Sequence, residues 1–479
     1  MTDEVERSSD HPHSVRSEGK RPAPAPSGPR IGAVEPRSVG FRAVTSRIRI
    51  ADLAALDDGP VVVGGWIETV RDQKKVQFLV LRDESGAVQL VRPRPAEDDA
   101  IATAISEMSI GSFVLVAGDQ KHDERVKLGG IEVRIESLDV VGASEPELPI
   151  AADSSVDKRM DWRFLDLRQP AQQLIFRIQT TFEHALRTWW VEHDFLEVHT
   201  PKLMASPSES RAELFQLGYF DTVAYLAQSP QHFKQMAQAA GFGGVFEIAD
   251  AFRADPSFTA RHATEFTSVD MEVSWIDSHE DVMAIHEALL VTGFEAVKAK
   301  HGEEIQRLFG IEVTVPTRPF PRIPLAEAKR IVAQRGYTVQ RADEDMDPEG
   351  ERRIAAYVRE ELGHDFVFLT DYATSIRPFY HMRSAADPAL TKSYDLIYRG
   401  TEISTGAQRE HRVDVLTAQA EDKGLDPKEL STYLDFFRYG IPPHGGFGMG
   451  LARVLMLLLE RQSIRETTFL FRGPNRLLP

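Results

Sequence analysis

From residue 47 to residue 141 apolar side chains recur in short runs that alternate with polar ones. VVVGGWIETV, VQFLVLRD, AVQLVRP, SFVLVAGDQ and IEVRIESLDVVG are separated by the turn-forming DESG and KLGG, which is the two-residue period and punctuation of β-strands. With the helix-like AEDDAIATAISEMS among them, four or five strands predict a small closed barrel of the OB type over residues 46–142, although spacing alone fits any small β-barrel. The period stops at the polar, Pro-bearing GASEPELPI, read as the start of a hinge over residues 143–170. In LIFRIQTTFEHALRTWWVEHDF the apolar positions return at helical spacing and predict one long amphipathic helix. Beyond it, strand-like GVFEIADAF, FTSVDMEVSWI, DFVFLTDY and SYDLIYRG are interspersed with helical HEDVMAIHEALLVTGFEAVKAKH and PLAEAKRIVAQRG. Strands that neighbour strands, with helices inserted, predict an antiparallel α+β domain over residues 171–479. Residues 1–45, rich in Ser, Pro, Arg and Gly and without apolar period, read as a disordered tail.

Composition narrows the function classes. The chain has 479 residues and no cysteine, which excludes a disulfide framework, a thiolate nucleophile and Cys-ligated zinc. No apolar run reaches the roughly 20 residues that cross a bilayer, so a cytoplasmic location without a membrane partner is expected. A net charge of −17 argues against non-specific coating of nucleic acid. A local basic face could still bind it at short range.

The charged groups concentrate in three places. FRADPSFTARHATEF, residues 252–266, links two predicted strands, and so long a connection is usually functional or disordered. Strand alternation places Val269, Met271, Val273 and Trp275 on a core face and Phe266, Ser268, Asp270 and Glu272 on the other. A cationic loop beside a ring and two acids suits a nucleotide: arginine forks onto phosphate, the ring stacks on a base, and the acids bind an amine or a divalent ion. In SYDLIYRGTEISTGAQR, residues 393–409, Asp395 and Glu402 flank a turn at Arg399-Gly400 and can converge with the Thr405 hydroxyl. Such hard oxygens suit Mg²⁺ on phosphates, or form an ordinary exposed hairpin. PPHGGFGMGLARVLMLLLER, residues 442–461, runs a glycine-rich stretch into an apolar helix without the GK[ST] of a P-loop. Arg453 in the first turn of that helix opposes the helix dipole, which predicts an anionic or aromatic partner. His444 reads as structural.

Taken in order, these segments resemble the three signature motifs of class II aminoacyl-tRNA synthetases: the long helix ending in FLEVHTPKL, then FRADPSFTARHATEF, then GFGMGLAR. With QSPQHFKQ (228–235), TEISTGAQR and the N-terminal barrel, the chain is similar to aspartyl-tRNA synthetases of the archaeal and eukaryotic type from about residue 46 onward. The resemblance implies a class II antiparallel-sheet catalytic domain preceded by a five-stranded OB-fold. It implies ATP-dependent activation of L-aspartate and transfer to the 3′ end of tRNAAsp, leaves tRNAAsn open as a second acceptor, and implies a homodimer with Pro201 at its interface.

Residue by residue, Arg253 and Arg453 would be catalytic and, with Arg261, His262, Phe266 and Glu402, would hold ATP. Asp395, Glu402 and Thr405 would hold Mg²⁺. Lys234 and Arg409 would pair with the aspartate side chain, Asp270, Ser229 and Gln231 would receive its amino group, and Glu209 would close over it. A neutral amide would then leave both cations unpaired, excluding asparagine. Phe78, Gln89 and Glu145 would read the anticodon. The chain departs from the pattern at Asp255 (glutamate in the family), at Ala452 beside Arg453, at Ser210-Arg211 in the substrate-closing loop, and at Glu68 near the anticodon site. A paralogue activating aspartate for another acceptor and a non-catalytic RNA-binding protein remain as rival readings.

Overall fold

The structure, a computed structural model, describes residues 47–151, 153–205, 214–339 and 345–479. Glu209 and Ser210-Arg211, like the N-terminal tail, lie outside the described residues. The chain divides into two compact units between Glu147 and Leu148.

In the first unit, β1 (Gly59–Asp72), β2 (Val76–Arg82), β3 (Ala87–Pro93), β4 (Phe113–His122) and β5 (Ile131–Gly142) close into a barrel in the order β1-β2-β3-β5-β4. A helix, α1 (Ala100–Ser106), starts at Asp99, whose carboxylate accepts from the Ala102 N–H at 2.8 Å. Leu79, Leu81, Val88, Leu90, Val114 and Val116 fill the interior. The alternate positions of β2, Phe78 among them, stay half-buried on the outside.

The second unit contains α2 (Val156–Asp161), α3 (Arg163–Asp166), α4 (Pro170–Glu192), β6 (Leu196–Glu197), β7 (Leu203–Met204), β8 (Gln216–Tyr219), β9 (Thr222–Leu226), α5 (Gln231–Ala239), β10 (Gly244–Phe252), β11 (Glu265–Ser274) and α6 (His279–Phe309). It continues with β12 (Arg322–Pro324), α7 (Leu325–Gln334), α8 (Pro348–Leu362), β13 (Phe366–Thr370), β14 (Ser393–Tyr398), β15 (Thr401–Gln408), α9 (Val413–Asp422), α10 (Ser431–Arg438), β16 (His444–Gly450), α11 (Leu451–Leu458) and α12 (Ile464–Thr467). Its main sheet runs β12-β13-β14-β15-β16-β11-β10-β6, antiparallel from β13 to β10 with one parallel pair at each edge. The apolar stripes of α4 and α6 cover one face of it. Trp190 stacks on Phe246 at 4.4 Å, and Phe182 lies so close to Gly293 that an added Cβ would sit 2.4 Å from the ring. Val269 and Met271 face this core, so alternation sends Ser268, Asp270 and Glu272 to the open side.

Two sequence expectations need correction. The hinge does not extend to residue 170, because α2 and α3 already belong to the second unit. Arg163, 1% exposed, pairs there with Asp166 and donates to the carbonyls of Glu466, Thr468 and Phe469 at 2.9–3.2 Å. Trp275 does not share the core face: β11 ends at Ser274, and Trp275 turns out at φ 66° with 79% exposure. Residues 444–450 form a strand in the middle of the sheet, between β11 and β15.

Candidate functional site

Glycine is needed in β16 because of what stands over it. Gly446 pairs with Glu272 and Gly448 with Asp270. A Cβ on Gly446 would come 2.1 Å from the Met271 carbonyl and 2.3 Å from Glu272 Oε2. The bare strand therefore forms a floor on which charged side chains from β11, α5 and the end of β15 can meet.

They meet as two cations and two carboxylates. Lys234, Arg409 and Asp270 are each 3% exposed and Glu272 is 0% exposed. Lys234 Nζ donates to Asp270 at 3.0 Å and to the Phe447 carbonyl at 3.1 Å, and lies 3.5 Å from Glu272. Arg409 Nε donates to Glu272 at 2.9 Å, and its Nη2 to Glu272 at 3.4 Å and to the Gly446 carbonyl at 2.9 Å. Burial pushes the Glu272 carboxyl upward, but Arg409 and then Lys234 outweigh it and hold the group below the usual glutamate range. Ser268 also hydrogen-bonds Asp270.

A network of neutral groups holds α5, and with it Lys234, against the sheet. Gln235 donates to His444 Nε2 at 3.1 Å and accepts from Tyr433 and Gln231 at 2.8 and 2.9 Å. His444 Nδ1 donates to the Pro442 carbonyl at 2.9 Å, and burial pushes this imidazole down to about 4. It is structural, as the sequence suggested.

Three of the four, Lys234, Asp270 and Arg409, line a cavity of about 400 Å³ that also contains Ser229, Gln231, Arg253, Arg261, His262, Phe266, Glu402, Thr405 and Arg453. Residues from four separate sequence segments thus share one site. Arg253 lies over the Phe266 ring at 5.4 Å, one cation–π pair at the edge of the cavity. Arg453 Nε donates to the Arg261 carbonyl at 3.1 Å and Nη1 to the Glu402 carbonyl at 2.9 Å. Carbonyl oxygens therefore hold Arg453, together with the Glu402 carboxylate at 4.0 Å, where Ala452 offers none. Arg261 is drawn to Glu351 of α8 at 2.6 Å, and burial pushes Glu351 up to about 7 although Arg261 opposes it. Asp255 accepts from the Ser257 N–H at 2.8 Å and faces His262 at 4.0 Å, so the shorter acid shapes the turn of its own loop.

The expected metal ligands separate into two layers. A bulge at Ile403 shifts the register between Leu396↔Ser404 and Ile397↔Glu402. Glu402 and Thr405, of opposite parity in a regular strand, thereby come onto one side at 3.3 Å. Both line the cavity. Asp395 sits behind them, 2% exposed, accepting from Thr405 at 2.7 Å and paired with Arg377 at 2.6 Å. Glu402 and Thr405 thus fit a divalent cation as direct hard-oxygen donors, and Asp395 backs them through the threonine hydroxyl.

Sequence reasoning placed Glu272 on the polar face but gave it no role, and it missed Arg377, His381 and Glu351. Alternation was the available signal for Glu272. The other three lie in segments without strand period or motif and reach the site by long-range packing. Lys234 and Arg409 already hold carboxylate partners, Asp270 and Glu272, so what an amide would leave unpaired depends on which of these contacts a ligand exchanges.

In the first unit Phe78 stands outside the barrel core, across from Arg71 and Val91 in the neighbouring strands. Gln89 lies on the adjacent strand beside Glu132, and Glu145 is exposed past the end of β5. Glu68 pairs with Arg82, so that acid is neutralised within the sheet.

Residues 155–472 match the family of tRNA synthetases class II (D, K and N), and residues 61–141 match the OB-fold nucleic acid binding domain family. The chain belongs to the class II tRNA synthetases. This synthetase is 39% identical over 435 residues to the aspartate–tRNA(Asp/Asn) ligase of Aeropyrum pernix, covering 90% of this chain and 98% of that one. It is also 39% identical to the aspartate–tRNA(Asp) ligase of Pyrococcus horikoshii, over 88% of this chain and 96% of the other. Among solved structures, asparaginyl-tRNA synthetase of Pyrococcus horikoshii with asparaginyl-adenylate superposes with a TM-score of 0.83 at 32% identity, over 90% of this chain and 99% of that one. No helix among the described residues is long and apolar enough to cross a membrane.

Two consequences are measurable. Glu272→Gln leaves two buried cations with one buried anion and should destabilise the protein by about 3–5 kcal/mol at pH 7 in urea unfolding. Glu272 binds its proton more weakly folded than unfolded, so its stabilisation is present above the glutamate range and lost as pH falls through it. The gap between variant and wild type should therefore narrow below about pH 4. In the barrel, Phe78→Ala should weaken tRNA binding by about 1–3 kcal/mol while amino-acid activation stays unchanged. Equal tRNA affinity in a filter-binding assay would remove Phe78 from the interface.

Proposed function

We propose that the synthetase is an aspartate–tRNA ligase that charges tRNAAsp and also tRNAAsn. The observation that carries the amino-acid assignment is the Lys234–Asp270 ion pair beside the Arg409–Glu272 pair, with no net charge among the four. L-Aspartate brings one ammonium and one side-chain carboxylate. Its ammonium takes over Asp270, with Ser229 and Gln231 alongside, and Lys234 transfers its donor to the side-chain carboxylate. Each buried charge keeps a partner. Asparagine supplies the same ammonium but only an amide opposite Lys234, so the exchange leaves a buried cation uncompensated. Such a defect costs a few kcal/mol.

The α-carboxylate then attacks the α-phosphorus of ATP and pyrophosphate leaves, a displacement that needs no enzymic nucleophile. Arg253 and Arg453 act on the phosphate charge, Phe266 stacks on the base, and Arg261 and His262 face the leaving pyrophosphate. Glu402 and Thr405 would hold the Mg²⁺ that accompanies the nucleotide and neutralises its charge. The aspartyl group finally passes to the 3′-terminal ribose of tRNA, whose anticodon Phe78, Gln89 and Glu145 read on the barrel. A cytoplasmic location fits this role.

Aspartate-dependent ATP–pyrophosphate exchange tests the assignment, with Lys234→Leu lowering kcat/KM by roughly 100-fold or more. Exchange with asparagine instead, or a variant that keeps its kcat/KM, would overturn it. Charging of tRNAAsp and tRNAAsn transcripts side by side should give aspartylation of both, and no product on tRNAAsn would restrict the acceptor to tRNAAsp.

The same reading includes a homodimer. Pro201 is exposed, and Val191, Leu196, Leu203 and Phe220 nearby in sequence present 63%, 51%, 48% and 92% of their surface. Exposed apolar side chains that gather into one patch are commonly covered by a partner. Sedimentation at micromolar concentration should give a dimer, and a monomer would contradict this part of the proposal.

A further inference from the structure

Arg409 has five N–H groups, and the structure uses four. Nε–H and one Nη2–H go to Glu272, and the second Nη2–H goes to the Gly446 carbonyl. One Nη1–H points to His381 Nε2 at 3.0 Å. Because the guanidinium is planar, Glu272 and the Gly446 carbonyl orient it from one side, and the bond to His381 braces the Nη1 end from which the last N–H points. Lys234 has no comparable spare donor, since Asp270, the Phe447 carbonyl and, at longer range, the Met271 carbonyl take up its ammonium.

His381 is built to accept that bond. Arginine only donates, so the Nε2 of His381 carries the lone pair and the proton resides on Nδ1. The backbone brings ring and guanidinium together: His381 bridges Arg409 as an isolated antiparallel pair, the Met382 N–H donates to the Gln408 carbonyl at 3.0 Å, and the Glu410 N–H donates to the Tyr380 carbonyl at 2.9 Å. Gln419 of α9 fastens the same segment from behind, donating to the carbonyls of Phe379 at 2.6 Å and His381 at 3.2 Å. Burial, then the charges of Arg409, Arg377 and Lys234, keep the imidazole neutral far below its ordinary range. Its Nδ1 is buried and has no hydrogen-bond partner among the described residues. An unmet donor costs stability, so the ring is a poor choice for packing alone. His381 also lines the cavity.

We infer that His381 is a positioning residue for aspartate selection, which acts through Arg409 by holding one Nη1–H so that the other faces the substrate side-chain carboxylate. This rests on the aspartate–tRNA ligase reading given above. His381→Phe keeps the ring and removes the acceptor, whereas His381→Gln restores an acceptor oxygen.

Both variants are compared with wild type in aspartate-dependent ATP–pyrophosphate exchange, with thermal midpoints recorded to establish folding. His381→Phe should raise the KM for aspartate by about tenfold or more, the loss expected for a hydrogen bond to a charged group, with the KM for ATP unchanged and kcat changed far less. His381→Gln should return the aspartate KM to within about threefold of wild type. An unchanged aspartate KM in His381→Phe, or a parallel rise of both KM values, would overturn the inference. If His381→Phe does not fold, His381→Gln and His381→Ala decide it: the inference requires a low aspartate KM in the first and a high one in the second, and equal values refute it. Absence of aspartate exchange in the wild type would refute the parent assignment instead.

Discussion

Four buried charges that must cancel one another set the terms for the rest of the catalytic unit. Lys234, Arg409, Asp270 and Glu272 come from α5, the end of β15 and β11, and none is more than 3% exposed. In so dry a place each charge has to keep a partner at hydrogen-bonding distance. That demand explains features that look unrelated in the chain. The strand beneath must be glycine, since a methyl group at Gly446 would occupy the space of Glu272. The histidines that touch the cluster, His381 and His444, must be neutral, and burial holds both imidazoles below their ordinary range. The helix that carries Lys234 must be fixed against the sheet, which the Gln235–His444–Tyr433 network does.

The cluster is balanced without a ligand, so the site cannot work as a bare positive pocket. In the proposed reading an acidic amino acid enters by exchanging partners within it, its ammonium taking the place of Lys234 and its carboxylate that of Asp270. Selectivity for a carboxylate then lies in restoring the balance. At the other end of the cavity the logic differs: Arg253, Arg261 and Arg453 stand where phosphate charge would arrive, and only part of their charge is met by Glu351 and Glu402.

Much of this was legible in the sequence because it rests on periodicity and local motif. The two-residue alternation in β11 separates Val269 and Met271 from Asp270 and Glu272, and the barrel strands show the same rhythm. Long-range packing was not legible. Alternation cannot show that Ile403 is an extra residue, yet that bulge places Glu402 beside Thr405. Glycines next to a helix suggest a turn, and only the carboxylates above explain why they form a strand. Glu351 reaches the site from a helix, α8, and His381 from a segment with no period of its own, both by long-range packing. Trp275 followed the alternation on paper and escaped it because the strand ends one residue earlier.

The account stands most directly on where an acidic amino acid puts its two charges. A crystal structure with a non-hydrolysable aspartyl-adenylate analogue should show the ammonium on Asp270 and the side-chain carboxylate on both Lys234 Nζ and Arg409 Nη1, with Arg409 still held by Glu272. A carboxylate bound elsewhere, with the Lys234–Asp270 contact intact, would contradict the partner exchange and the selectivity derived from it.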